Sequence, residues 1–119
     1  MSLPDYESTE YALLRLLRSA PGGAMHCQDV YRLLASEFPQ LTREDTSGPY
    51  RRSLSRWANH VQFARLHLVL RLEILPCSPS GRGIWIISIR GRHALDKFEA
   101  HIDTLLADFE RDCPLGLNR

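Results

Sequence analysis

The 119-residue chain has the length of one domain and suffices for a hydrophobic core without metal or disulfide staples; 44% apolar and 24% charged residues exclude wholesale disorder. No apolar run approaches the ~18 residues of a membrane span, and the acidic first ten residues have no secretory-signal pattern, so a soluble, cytoplasmic protein with no membrane partner is expected. The net charge of +1 conceals an asymmetry: residues 50–92 hold eight arginines against Glu73 alone, a charge of +7, while residues 1–49 and 93–119 each carry −3.

Residues 5–19 read as a first helix, with Tyr11, Leu13, Leu14 and Leu17 as its apolar stripe and Glu7 and Glu10 in the first turn, where they suit the helix dipole. Pro21-Gly22-Gly23 ends it. Residues 26–38 read as a second helix, with Val30, Leu33, Leu34 and Phe38 on one face and Pro39 as its stop. Residues 40–49 read as a polar loop. A third helix is predicted over 50–70. Leu54, Trp57, Val61, Ala64 and Leu68 recur at intervals of 3, 4, 3 and 4, the core face of an amphipathic helix. Its other side carries Arg52, Ser55, Arg56, Asn59 and His60.

Residues 73–77 read as a short strand, 78–83 as a turn, and the β-branched and aromatic run Ile84-Trp85-Ile86-Ile87-Ser88-Ile89 as the returning strand. The pair makes a hairpin with Arg82 at its tip. From Gly91 a last helix runs to about residue 112, with Leu95, Phe98, Ile102, Leu105 and Phe109 at intervals of 3, 4, 3 and 4 and Leu106 alongside. Three helices, a two-stranded wing and a C-terminal helix predict a mainly α (α+β) fold, the winged helix-turn-helix. The winged-helix unit covers 1–92 and the C-terminal helix 93–119, in one compact domain.

Two stretches carry a resemblance. Asn59-His60-Val61-Gln62-Phe63-Ala64-Arg65-Leu66-His67-Leu68 resembles the helix that closes the N-terminal winged-helix domain of Mrr-type restriction proteins, where Asn, then Val, then an aromatic followed by Ala-Arg, then Leu recur. Ser78-Pro79-Ser80-Gly81-Arg82-Gly83-Ile84-Trp85-Ile86-Ile87-Ser88, with Gly91-Arg92 and Leu95, resembles that family's wing and the start of its next helix. Detail covers about a third of the chain; element order extends over 5–95. Three departures stand out. Leu72 lies where the family's long helix usually ends on Gly, Phe63 lies where Trp is common, and residues 1–119 leave no room for the nuclease domain of full-length members. The resemblance therefore implies the DNA-reading module and duplex DNA, modified or not, as partner. It transfers no nuclease activity and leaves room for a separate nuclease or other protein partner. PadR-like repressors, winged-helix dimers with a C-terminal dimerisation helix, match by architecture alone.

A winged-helix domain sets its third helix into the major groove. Arg grips guanine and Asn grips adenine through paired hydrogen bonds, so the candidate DNA contacts are Arg51, Arg52, Ser55, Arg56, Asn59 and His60. Arg82 on the wing suits the sugar-phosphate backbone or the minor groove. Arg90, with Arg92, either meets phosphate or complements the acidic last helix. The competing class is a protein–protein interaction module, since fold does not fix function. Trp57 and Trp85 lie on apolar stretches and are assigned to the core. The seam Leu95, Phe98, Ile102, Leu105, Leu106 and Phe109 must pack on something. Packing on its twin gives a homodimer suited to a palindromic site; packing on its own first helix is the alternative. Three cysteines without a C-x-x-C spacing build neither a disulfide framework nor a zinc site. His60 and His67, and His93 and His101, lack the four-residue spacing of a helical metal pair. No phosphate loop or nucleophile elbow is present. No metal, cofactor or enzyme activity is expected.

Overall fold

The structure, a computed structural model, describes residues 3–48, 54–76 and 82–112. Its elements are α1 (Tyr6–Ser19), a 3-10 turn at Pro21–Gly23, β1 (Ala24–His26), α2 (Cys27–Ala35), α3 (Arg43–Ser47), α4 (Arg56–Leu70), β2 (Ile84–Ile86) and α5 (Ile89–Asp112). The protein is mainly helical with a small antiparallel sheet. Among the described residues no helix is long and apolar enough to cross a membrane.

Each helix starts on a side chain that answers orphan backbone donors. The Asp5 carboxylate accepts from Ser8 N–H at 2.9 Å, His26 Nδ1 from Gln28 N–H at 3.1 Å, and Ser55 Oγ from Ala58 N–H at 3.0 Å. The polar stretch read as a loop contains α3. Thr42 and Asp45 close a reciprocal capping box, Asp45 N–H to Thr42 Oγ1 at 3.2 Å and Thr42 N–H to Asp45 Oδ2 at 2.9 Å. Helix α4 starts at Arg56 rather than residue 50, because Ser55 is extended (φ −71°, ψ 164°) and caps it.

The sheet also differs from the predicted hairpin. The main partner of β2 is β1, a strand too short to read from sequence, in the register Ala24 to Ile86, Met25 to Trp85 and His26 to Ile84. The segment expected as the first wing strand touches β2 only at an antiparallel Ile74–Ile87 bridge, with Leu75 N–H donating to Ile86 O at 3.0 Å. Residues 84–87 therefore run between β1 and Ile74. The strand stops at Ile86, two residues before Ser88 Oγ accepts from Gly91 N–H at 2.9 Å in the first turn of α5.

The core lies where α1, α2 and α4 meet the sheet. Leu13, Leu17, Val30, Leu34, Trp57, Val61, Leu68, Ile74 and Leu95 are buried in one cluster with Trp85 and Ile87. The Trp57 indole N–H, buried with its ring, donates to Tyr31 O at 2.8 Å, so the polar atom is satisfied inside the core. Two backbone positions join the layers. A Cβ on Gly91 would overlap the Glu73 carbonyl oxygen and stand 2.8 Å from Ile87 Cγ1, so only glycine lets α5 approach this close. Leu72 is the one non-glycine residue with positive φ, 64°, among the described residues. Beside it Glu73 N–H bonds Leu68 O at 2.8 Å and Leu72 N–H bonds Val69 O at 2.9 Å, closing the Schellman end of α4. The conformation that this cap requires is one glycine adopts without strain.

Candidate nucleic-acid interface

Helix α4 divides into a buried and an outward face. Trp57, Ala58, His60, Val61, Ala64 and Leu68 are buried. Arg56, Gln62, Phe63, Leu66 and Leu70 are exposed and Asn59 is half-buried. The outward face is polar in its first two turns, Arg56, Asn59 and Gln62, and apolar beyond. Arg56 Nε stands 3.8 Å from the buried carboxylate of Asp45 in α3, so the guanidinium is held where α3 and the start of α4 meet. Positive charge at a helix N-terminus adds to the positive end of the dipole and favours anions.

Helix α2 braces this face. The Gln62 amide donates to Tyr31 Oη at 2.7 Å, and burial pushes the Tyr31 phenol up to about 12, where it stays neutral. Between α2 and the starts of α3 and α4 lies a groove of about 700 Å³ whose walls include Gln28, Arg32, Thr46, Ser47 and Ser55. Arg32 is paired to Asp29 on its own helix at 3.1 Å.

Arg82 is exposed at the start of the segment leading into β2. The next residue, Gly83 (φ 83°), accepts from Cys27 N–H at 2.8 Å, which fixes the Arg82 end of the strand beside the start of α2. Arg90, exposed in the first turn of α5, belongs to the opposite end of β2. The two arginines thus flank the strand at opposite ends. Arg56 and Asn59 therefore share one face, Arg82 borders α2, and Arg90 stands apart. Arg51 and Arg52 lie outside the described residues.

His60 is a correction. The sequence places it on the polar face of the third helix, whereas the residue is 6% exposed and faces α1. Its ring stacks on Tyr6 at 4.4 Å and lies 5.8 Å from Trp57. Thr9 Oγ1 lies 2.9 Å from Asp5 O and 3.0 Å from His60 Nε2, so the ring nitrogen has a hydrogen-bond partner inside the fold. Burial lowers the His60 pKa below 6.5. Two turns on, His67 and, just past the helix end, Arg71 both reach the Glu10 carboxylate, at 2.7 and 2.9 Å, which fastens α1 to α4. Ser55 is likewise occupied as the cap of α4.

Arg65, outside the candidate DNA contacts, bridges α4 to the sheet. Its guanidinium lies 5.3 Å from the Trp85 ring centre and donates to Pro76 O at 3.2 Å. The sequence signal was its place in the Ala64-Arg65 pair. Trp57 and Trp85 are 1% and 5% exposed, core residues as expected from their apolar neighbourhoods.

Leu95 is a second correction. Its spacing puts it on the dimer seam, yet it is 1% exposed and belongs to the core. Phe98 packs on Tyr11 at 4.8 Å, and Arg18 pairs with Glu99 at 2.9 Å and with Asp96 at 3.1 Å, so the first part of α5 is fastened to α1 of its own chain. Beyond Glu99 the helix leaves the body. Ile102, Leu105, Leu106 and Phe109 are all exposed.

Among the described residues no group of three His, Cys, Asp or Glu could hold a metal ion. No protein-family model matches the chain, and no curated protein or solved structure matches it either.

Proposed function

We propose that the chain is a cytoplasmic winged-helix protein that binds duplex DNA as a homodimer, a transcriptional regulator or a DNA-recognition module related to Mrr-type restriction systems. Two things support the fold reading: the order of the elements, and the position of residues 84–87 between β1 and Ile74, as in a small wing sheet. The observation that carries the DNA reading is the outward first half of α4. Arg56 and Asn59 stand there together, inside the segment of charge +7. In this mechanism the arginines of that segment, Arg56 and Arg82 with Arg51 and Arg52, neutralise phosphates, and Arg56 and Asn59 read base edges. The unpartnered second half of α5 supplies the dimer contact. Any cutting would fall to a separate nuclease partner.

The test is duplex affinity of Arg56→Ala and Asn59→Ala chains with circular dichroism as the folding control. Loss of affinity in both, with folding intact, supports the groove assignment. Unchanged affinity in both removes it. A second reading, a protein-interaction module, has one observation in its favour: Phe63, Leu66 and Leu70 are exposed on the same face of α4.

A further inference from the structure

Two apolar stripes have no cover among the described residues. One is the second half of α4, where Phe63, Leu66 and Leu70 are 45%, 44% and 72% exposed. The other is the second half of α5, with Ile102, Leu105 and Phe109 at 38%, 51% and 52%. Both have intervals of three and four residues, and both span seven residues, about 10 Å of helix. They do not cover each other within one chain, because α5 lies against α1 and both stripes stay exposed.

We propose that these stripes are the two halves of one interface: the distal half of α5 from one chain lies on the outward second half of α4 of a second copy, and the exchange is reciprocal. Four observations point there. Equal spacing and span suit helix-on-helix ridges and grooves. The two helix segments have opposite net charge, since residues 56–70 hold Arg56 and Arg65 and no acid while residues 101–112 hold four acids against Arg111 alone. A two-fold exchange covers both stripes at once and closes at two chains, whereas pairing α5 with its twin leaves the α4 stripe bare. The fourth is Leu72. It holds a left-handed conformation that glycine would adopt freely, and it is 61% exposed, so packing within the chain does little to offset the strain. At the end of the α4 stripe it extends the surface offered to the partner. Arg56 and Asn59 occupy the first turns of the same face and remain outside the contact.

This inference rests on the dimeric part of the proposed function, and the experiment separates the two. The full chain is sized by sedimentation against concentration, beside Leu66→Asp/Leu70→Asp and Ile102→Asp/Leu105→Asp, all exposed positions, with circular dichroism as control. Reciprocal exchange makes both variants monomers. If only the α5 variant is monomeric, α5 pairs with its twin; this inference falls and the dimer stands. If only the α4 variant is monomeric, the inference also falls. A wild-type chain that is monomeric at every concentration removes both the inference and the dimer.

Oxidative cross-linking gives an answer independent of the aspartate variants. With Cys27, Cys77 and Cys113 replaced by serine, Leu66→Cys chains mixed with Leu105→Cys chains should form a mixed disulfide dimer. Cross-linking of Leu105→Cys chains only to one another would overturn the arrangement. Leu72→Gly adds a readout that a purely structural role would not move. It should weaken dimerisation by about tenfold without lowering the thermal midpoint of the dilute monomer. An unchanged dimer constant would remove Leu72 from the contact and count against the exchange.

Discussion

Gly91→Ala sets two rules against each other. Gly91 lies inside α5, where replacing glycine by alanine adds about 1 kcal/mol of helix propensity. Against this, the new methyl would overlap the Glu73 carbonyl oxygen and press on Ile87 Cγ1 at 2.8 Å. The Glu73 carbonyl is also the acceptor for Ser88 N–H at 3.0 Å, in the junction that leads β2 into α5. Overpacking costs about 1–3 kcal/mol, and pushing that carbonyl away forfeits a hydrogen bond of about 1 kcal/mol. The contact wins, and the variant is expected to be less stable by about 1–3 kcal/mol, near 4 °C in melting temperature for each kcal/mol. Urea unfolding followed by tryptophan fluorescence reads this directly, because Trp57 and Trp85 are both buried in the folded chain. A lower midpoint at unchanged slope is the expected result. A variant as stable as the wild type, or more so, would refute the close approach of α5 to residue 73.

Three further outcomes follow from the same contacts. The lowered pKa of His60, caused by its burial, means the folded state binds fewer protons than the unfolded one. Its contribution is complete above the unfolded value of about 6.5 and declines as pH falls below it; thermal midpoints of the wild type and His60→Leu should therefore differ in slope between pH 6.5 and 5, and parallel curves would contradict the burial. Glu10→Gln should loosen α1 from α4, since Glu10 receives both His67 and Arg71. Losing partners of a nearly buried carboxylate costs about 1–3 kcal/mol, and an unchanged urea midpoint would count against that junction. Arg82→Ala should reduce the salt dependence of duplex affinity by about one phosphate's worth with stability untouched, because the side chain is exposed; a fall in stability would mean Arg82 supports the turn instead.

The helices that could be read from sequence were those whose apolar intervals face one core. Leu13 and Leu17 on α1, and Trp57, Val61, Ala64 and Leu68 on α4, are buried as their spacing demands. What escaped were short elements fixed by contacts from elsewhere. Strand β1 has three residues and exists because β2 pairs with it. Helix α3 has five, in a stretch whose composition reads as loop, although Thr42 and Asp45 at capping-box spacing were the available sign. His60 was misplaced because α1 covers a second sector of α4 beside its apolar stripe. Spacing alone cannot show that Tyr6 and Thr9 wait there. The same limit applies to Leu95, whose place on the α5 seam hides that α5 begins against the chain's own core. Leu72 carried a visible sign, since it stands where the resembling family ends its helix on glycine, and its positive φ gives that sign a physical meaning.

The central claim is that the basic middle of the chain grips duplex DNA. Fluorescence anisotropy of the full chain with a labelled duplex, across a salt series, tests it most directly. The account predicts micromolar or tighter binding at low salt that weakens steeply as salt rises, as counterion release requires. No binding at low salt would contradict it and leave the outward face of α4 as a surface for protein.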